Sequence, residues 1–431
     1  MKKILTVIFI SLLFAGNSFA QTILQALNDA YKNNAELNAE RENLKVSEQE
    51  LKITRSEYLP SASITSSKSK EETNKLTNQS GGNASITDVD PLTTSIKLEQ
   101  TLIDFGRGAD YKKKQIGIDL AREKLLKKEQ DILYKAIEAY SGLVAAKEKE
   151  EINRKNVELK ISQLQTERIR LERGEIKSSD VAQSESSLAG AEAQYIQAQN
   201  EVVTSKLNYE NVIGNVNENS LQKSIQSIVN IPTSLESAID LSKQNNHDVK
   251  IAELELEQAE KDITIAKSDL APTASLSLER SYTEDLSSTY DEREKDILKA
   301  TVSWPFFSGG KKFAIIDKNQ SIKVRQRLLV DNAVKNNLTN VTSAWANLQS
   351  SESFLNSVRA QVKAAEIANE GITAEYQSGA GSRSTLDVIQ SNSLLLNAQI
   401  SLANSERNYL LAQYNLLKSI GLLTSSYLNL K

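Results

Sequence analysis

Ser56-Glu-Tyr-Leu-Pro60-Ser-Ala-Ser63 is the stretch on which the fold turns. Before it, Leu37, Leu44 and Leu51 recur at a spacing of seven among Glu48, Glu50, Lys52 and Arg55, as in an amphipathic charged helix. After it, Ser61, Ala62, Ser63, Ile64 and Thr65 read as a strand of small residues. Proline cannot continue a helix and drives the residue before it toward extended geometry. Pro60 therefore marks a change from a period of about 3.6 to a period of about 2. The same join recurs as Ser268-Asp-Leu-Ala-Pro272-Thr-Ala-Ser275.

The join recurs because the chain is written twice. Ile23–Ser63 aligns without a gap on Leu235–Ser275, a shift of 212. Asn33-Asn34 falls on Asn245-Asn246, and Leu37, Leu44 and Leu51 fall on Val249, Leu256 and Ile263. Val181–Gly214 aligns on Val388–Gly421, a shift of 207, so Asp180-Val181 meets Asp387-Val388. Each half reads helix, strand, strand, very long helix, tight turn, helix. The expected divisions are a signal peptide (1–20), a first repeat (21–214), a linker (215–232), a second repeat (233–425) and a tail (426–431). Strands are expected near 60–68, 94–104, 272–282 and 296–306, with polar loops at Lys68–Asp90 and Thr283–Lys295.

Met1-Lys2-Lys3, a short apolar run from Ile4 to Ala15, and small residues at Ser18 and Ala20 have the form of a secretory signal peptide. The run is shorter than the ~20 residues that span a bilayer. There is no cysteine, which excludes a disulfide framework and metal thiolates. Positive and negative charges are interleaved, and the basic cluster Lys112-Lys113-Lys114 lacks an aromatic stacking platform, so no nucleic-acid partner is implied. It reads as a solvated helix face. The one histidine, His247, lies in a polar helix and points to no chemistry. Gly106-Arg-Gly108 lacks the following Lys-Ser/Thr of a phosphate loop. No cofactor or enzyme site is expected.

Ile96, Leu98 and Leu102 alternate with Lys97, Glu99 and Thr101. Ala274, Leu276 and Leu278 alternate with Ser275, Ser277 and Glu279, and Leu298, Ala300, Val302, Trp304 and Phe306 with Lys299, Thr301 and Ser303. One apolar and one polar face suit a membrane strand beside a wet lumen. Trp304 and Phe306 fit an interfacial aromatic girdle. From Ala109 to Arg173 no proline intervenes, and a helix of that span runs about 100 Å at ~1.5 Å per residue. Val157, Ile161, Leu164 and Leu171 mark its expected coiled-coil seam, with Arg168 as an outlier. Val181, Leu188, Tyr195 and Val202 recur at seven in the return helix, with Ser184, Ala191, Ala198 and Ser205 between them.

Four strands cannot close a membrane barrel, which needs about eight, and an open edge is not tolerated in lipid. Oligomerisation follows. Polar lumen residues favour three chains and twelve strands over a filled eight-stranded barrel. The alternative is a periplasmic coiled-coil scaffold or adaptor without a pore, whose strands form a soluble domain. The destination of the apolar strand faces separates the two.

The duplicated unit resembles the TolC family of outer-membrane efflux and secretion channels. So do Leu98-x-Gln100-Thr-Leu-x-Asp104-Phe-Gly-Arg107 and Tyr376…Gly…Arg383-Ser-Thr-Leu-Asp387-Val. The resemblance implies a mainly α fold with membrane β: a homotrimer with a 12-strand barrel in outer-membrane lipid, continued by a periplasmic α-helical barrel. It implies docking on a periplasmic adaptor (membrane fusion protein) and an inner-membrane ABC or proton-driven transporter. Pro60 and Pro272 would mark the helix-to-barrel junction.

The helix turns at Gly174–Ser179 and Gly379–Thr385 are the expected gate, with Asp180 and Asp387 just after them. Carboxylates crowded around a pore attract cations. Aspartate in a first helical turn is also an ordinary cap, and Ser384-x-x-Asp387 resembles a capping box. The resemblance implies that Tyr376 and Arg383 tie the helices shut. Two features depart from the family pattern: the turn Gln377–Ser382 is two residues longer, and Gln390 stands where some members carry a second acid.

Overall fold

The computed structural model describes residues 22–430 except 76–84, 217–220, 225–226, 228–229, 288–289 and 379–382. The expected signal peptide lies outside the described residues. The order is α1 (Ile23–Asn33), α2 (Ala35–Ser56), β1 (Ser61–Lys68), β2 (Glu71–Lys75), β3 (Ser85–Val89), β4 (Leu92–Ile103), α3 (Arg107–Glu172) and α4 (Ser178–Val212). The second half follows with α5 (Leu235–Asn245), α6 (His247–Ser268), β5 (Thr273–Ser287), β6 (Tyr290–Ser303), α7 (Lys311–Ser378) and α8 (Thr385–Ser419). Two compact units result. One holds residues up to Asn38 with Lys128–Asn246 and Leu338–Lys431; the other holds Ala39–Lys127 and His247–Asn337.

The second unit carries the strands. Its four-stranded sheet runs β1-β4-β5-β6, antiparallel throughout. One apolar row crosses all four strands: Ala62 opposite Leu98, Leu98 opposite Leu278, Leu278 opposite Leu298. The neighbouring row on the other face is Ser61, Glu99, Ser277 and Lys299. On that face Lys97 pairs with Glu99 at 2.7 Å. The apolar face is uncovered: Ile64 and Leu298 are each 72% exposed, and Ile96, Leu278 and Val302 are exposed as well, as are Ser61, Glu99 and Lys299 on the polar face. A soluble half-buried sheet packs such an apolar face on a core. Among the described residues β1 and β6 have no partner on their outer sides.

The strands differ from expectation in three ways. The first-half loop contains the small β2–β3 sheet, Glu71 opposite Val89. In the second half, pairing runs on to Ser287 and Tyr290, where a loop from Thr283 to Lys295 was expected. Glu284, Glu292 and Glu294 make both faces polar there, so the period-2 signal fades while the backbone ladder continues. Finally, β6 stops at Ser303, one residue short of Trp304. Pro305 has no N–H to extend the ladder, and Trp304 and Phe306 lie exposed beyond it.

The two joins are built alike. The Ser56 hydroxyl donates to the Ile53 carbonyl and the Ser268 hydroxyl to the Ile265 carbonyl, both at 2.6 Å. The Leu59 and Ala271 N–H groups each reach back three residues at 2.9 Å, tightening the last turn before Pro60 and Pro272. The prolines leave carbonyls at the helix ends without partners, and side chains in or just beyond the second strand of each half supply them. Gln100 Nε2 donates to the Tyr58 carbonyl at 3.3 Å, and Trp304 Nε1 donates to the equivalent Leu270 carbonyl at 3.0 Å. His247, expected in a polar setting, is buried in the strand-bearing unit, where its Nδ1 lies 2.6 Å from Glu123 Oε2.

In the other unit, Leu133, Ile137 and Tyr140 of α3 pack with Leu27 of α1, Tyr209 of α4 and Tyr414 of α8. The segment expected as a linker lies against this core. The Tyr140 hydroxyl donates to the Gln222 carbonyl at 2.7 Å and accepts from the Gln222 N–H at 3.1 Å. Each opening helix, expected to be continuous, breaks at an asparagine. Asn34 and Asn246 are extended, with ψ of 124° and 118°. The Asn34 side chain caps α2 by accepting from the Glu36 and Leu37 N–H groups. Its Nδ2 donates to the Val212 carbonyl at 3.1 Å, and Asn246 Nδ2 donates to the Ser419 carbonyl at 3.2 Å. Each break thus secures the end of its own half's return helix.

The α3 seam also corrects the expected frame. Ile161 is 40% exposed, whereas Asn153, Lys160, Leu164 and Glu167 are buried. The seam steps through 153, 157, 160, 164, 167 and 171, and some of its steps are polar. Arg168 lies outside it and bonds Glu185 at 2.8 Å. Val157, Leu164 and Leu171 keep their expected places, and counting only apolar residues displaced the alternate positions, 161 for 160 and 168 for 167.

Gly421 closes α8 with φ of +86°, and a Cβ there would lie 2.2 Å from the Asn245 carbonyl oxygen. Its counterpart Gly214 has φ of +114° with nothing within 4 Å. Gly214→Ala should cost about 1–3 kcal/mol of backbone strain. Gly421→Ala should cost clearly more, because the helix break at Asn246 must also move. Denaturant unfolding of the two variants followed by circular dichroism checks this, and equal midpoints would contradict it.

Candidate functional site at the hairpin turns

Asp180, Tyr376, Arg383 and Asp387 all belong to the unit that contains both hairpin turns. The long helix α3 ends at Glu172 and its return α4 begins at Ser178; α7 ends at Ser378 and α8 begins at Thr385. Residues 379–382 of the second turn lie outside the described residues.

Both aspartates are the third residue of a return helix, where backbone N–H groups lack intrahelical partners. Asp180 Oδ2 accepts from the Lys177 N–H at 3.0 Å. Asp387 Oδ2 accepts from the Ser384 N–H at 2.8 Å and from the Ser384 hydroxyl at 2.9 Å. The Ser384 oxygen in turn accepts from the Asp387 N–H at 3.3 Å. This is a reciprocal capping box with Asp in the position usually held by Glu or Gln. The Ser384 backbone bond, then its hydroxyl and the Arg383 charge, hold the Asp387 carboxyl below the usual carboxylate range. Both carboxylates are partly exposed.

Tyr376 and Arg383 do not meet within the chain. The Tyr376 hydroxyl lies 2.9 Å from Thr385 Oγ1, across its own turn. Arg383 Nε donates to Glu375 Oε2 at 2.6 Å, again within the second hairpin. The link between the hairpins comes from Arg170, whose guanidinium stands 4.6 Å over the Tyr376 ring. Glu175 holds Arg170 in place by accepting from its Nε at 3.2 Å. Sequence reasoning did not single out Arg170, Glu375 or Thr385. Arg170 showed only as a basic residue near a helix end, and its ring partner is 206 positions away.

Beside this link lies a cleft of about 380 Å³ between α3, α7 and α8. Gln163 and Thr166 line it from α3, Asn369 and Thr373 from α7, and Asn392 from α8. Its walls mix these uncharged amides and hydroxyls with the apolar side chains of Leu159, Ala374 and Val388 and the carboxylate of Glu370. The fully buried Glu167 also borders it, bonded to the Ser184 hydroxyl and to Gln163 Nε2.

Comparison with known proteins bears on this arrangement. The family model described as "Outer membrane efflux protein" matches residues 26–215 and 238–422, once in each half. "Outer membrane efflux protein BepC" of Brucella suis biovar 1 is 26% identical over 416 residues, covering 96% of this chain and 88% of its own. "Alkaline protease secretion protein AprF" of Pseudomonas aeruginosa is 26% identical over 356 residues, covering 80% and 72%. Among solved structures, the CmeC outer membrane channel of Campylobacter jejuni superposes with a TM-score of 0.80 at 16% identity, covering 93% of this chain and 85% of that one. The chain therefore belongs to the outer membrane efflux protein family, a family of outer-membrane channels in which helical hairpins are joined to membrane strands.

Proposed function

We propose that three copies of this chain close a twelve-stranded barrel in outer-membrane lipid and form the exit duct of a tripartite efflux or type I secretion system. The observation that carries this reading is the sheet's uncovered apolar face, set opposite a polar face that carries Lys97, Glu99 and Ser277. A pore-free scaffold would have to leave that apolar face in water. The unpaired outer sides of β1 and β6 are where neighbouring copies join, since lipid tolerates no open edge. Three copies give a bore that the polar face can hydrate, whereas eight strands would be filled by side chains. Native mass spectrometry of the detergent-solubilised protein should therefore give three chains; a stable dimer would overturn the count.

Energy and selection belong to the partners in this reading. A periplasmic adaptor and an inner-membrane ABC or proton-driven transporter load the duct, which conducts passively. BepC is named for efflux and AprF for protease secretion, so one duct architecture serves both classes. Identification of proteins cross-linked at the hairpin turns assigns the class: an ABC transporter for secretion, a proton-driven pump for efflux.

Six carboxylates from three copies of Asp180 and Asp387 form the proposed constriction ring. Asn keeps an acceptor for each cap and removes the charge. Asp180→Asn with Asp387→Asn should lower the cation preference of single channels in planar bilayers severalfold while the protein stays folded. Unchanged selectivity would leave capping as the only role.

The pH dependence has a definite sign. Asp387 is depressed in the folded state, so its stabilising contribution is complete above the unfolded value of about 3.9. It is lost as pH falls through the lower folded value. Cation preference should accordingly persist at pH 4.5 and fade only under stronger acid. In Ser384→Ala the loss should move toward higher pH. Bilayer recordings across this range measure both.

A further inference from the structure

Alternate side chains of a strand stand on opposite faces, so the register sorts the charges of the four-stranded sheet. The polar face, opposite the Leu98–Leu278–Leu298 row, carries Lys97 and Glu99 on β4, Glu279 on β5, and Lys295 and Lys299 on β6. The acids on this face stay with Lys97, which bonds Glu99 at 2.7 Å and stands directly opposite Glu279. Lys299 is opposite Ser277 and Lys295 is opposite Ser281. Among the described residues neither lysine forms an ion pair, and both are exposed. Past them the ladder bulges on β5, and Arg293 and Asp291, which share a side of β6, offset each other.

The other face holds its own balance. Beyond the apolar rows, Arg280 bonds Glu294 at 3.2 Å and lies 3.8 Å from Asp296. These carboxylates are on the far side of the sheet from Lys295 and Lys299 and do not neutralise them.

Nor can a neighbouring copy supply the missing acid along the paired length of β1. On the polar face β1 presents Ser61, Ser63, Thr65 and Ser67, all hydroxyls. If β6 of one copy joins β1 of the next, Lys295 and Lys299 meet hydroxyls in any register within that stretch. An ammonium beside hydroxyl donors is the chemistry that holds carboxylate and phosphate groups, and basic residues lining a pore favour anions. The low-dielectric barrel wall focuses the lysine charges into the bore.

We propose that each seam between copies in the barrel bore is an anion-attracting stripe, built from Lys295 and Lys299 of one copy and the β1 hydroxyls of the next, that favours solutes bearing carboxylate or phosphate groups. The proposal rests on the twelve-stranded barrel described above. Its sign is opposite to that of the proposed Asp180 and Asp387 ring, and it is carried by the strand-bearing unit alone.

Reversal potentials of the full-length protein in planar bilayers under a potassium chloride gradient test it. The background is Asp180→Asn with Asp387→Asn, in which the proposed ring is uncharged, and low salt keeps screening weak. Lys295→Gln with Lys299→Gln should lower the chloride-to-potassium permeability ratio severalfold. Arg280→Gln, which loses a like charge from the opposite face of the same sheet, should leave the ratio unchanged. Added inorganic phosphate should reduce the chloride current of the background channel and affect the double lysine variant several times less. Channels whose ratio is unmoved by the lysine substitutions, or moved as far by Arg280→Gln, would overturn the stripe while leaving the barrel standing. A protein that forms no channels and is not a trimer by native mass spectrometry would overturn the barrel and the stripe with it.

Discussion

A four-stranded sheet with its apolar rows facing outward is the constraint on which the rest depends. Ala62, Leu98, Leu278 and Leu298 form a continuous apolar row across all four strands. In water such a face is a liability at roughly 25 cal/mol per Å² of exposed apolar area. In hydrocarbon the same face is satisfied, but each backbone group left open at an edge then costs several kcal/mol. In the proposed assembly lipid covers the face and neighbouring copies close the edges. The polar rows are the complementary half of the same pattern. Because side chains alternate at a strict period of two, satisfying the outer face in lipid commits Lys97, Glu99 and Lys299 to the opposite side.

The joins at Pro60 and Pro272 let a helical chain feed such a sheet. A helix ending at the edge of lipid leaves carbonyls without partners. The proline makes the stop sharp, and a side chain in or just beyond the half's second strand completes it. The first half uses Gln100 and the second uses Trp304, on equivalent carbonyls. The geometry outlived the divergence of the residues that serve it. The breaks at Asn34 and Asn246 follow the same logic, with an amide reaching the last carbonyls of the return helix in each half.

The large-scale plan was legible because it rests on local signals. Leucines at seven, prolines after polar helices and a constant shift between halves need no long-range information. What stayed hidden depends on partners distant in sequence. Asn33-Asn34 and Asn245-Asn246 stood out as a repeated pair, but the carbonyls that receive the Asn34 and Asn246 amides lie 178 and 173 positions away. The outer reaches of β5 and β6 were missed because Glu284, Glu292 and Glu294 give no alternation once both faces meet water. The α3 seam was misframed because Lys160 and Glu167 sit where an apolar residue was sought. At the candidate site, Ser384-x-x-Asp387 announced its cap from local spacing alone. The Arg170–Tyr376 contact could not announce itself, since neither residue has a local reason to face the other.

Capping and the proposed charged constriction are compatible roles for these aspartates, and the first would support the second. Asp180 and Asp387 both cap through Oδ2. An N–H···O bond orients the carboxylate without neutralising it, and the positive end of the helix favours its charged form. At Asp387 the Ser384 bonds also hold the carboxyl below its usual range, so the cap keeps the group ionised under conditions that would begin to protonate a free aspartate. In the proposed ring both carboxylates are fixed in direction by the helix starts, and the Asp387 members keep their charge further into acid. Removing the cap would therefore weaken the ring even where the aspartate itself remains.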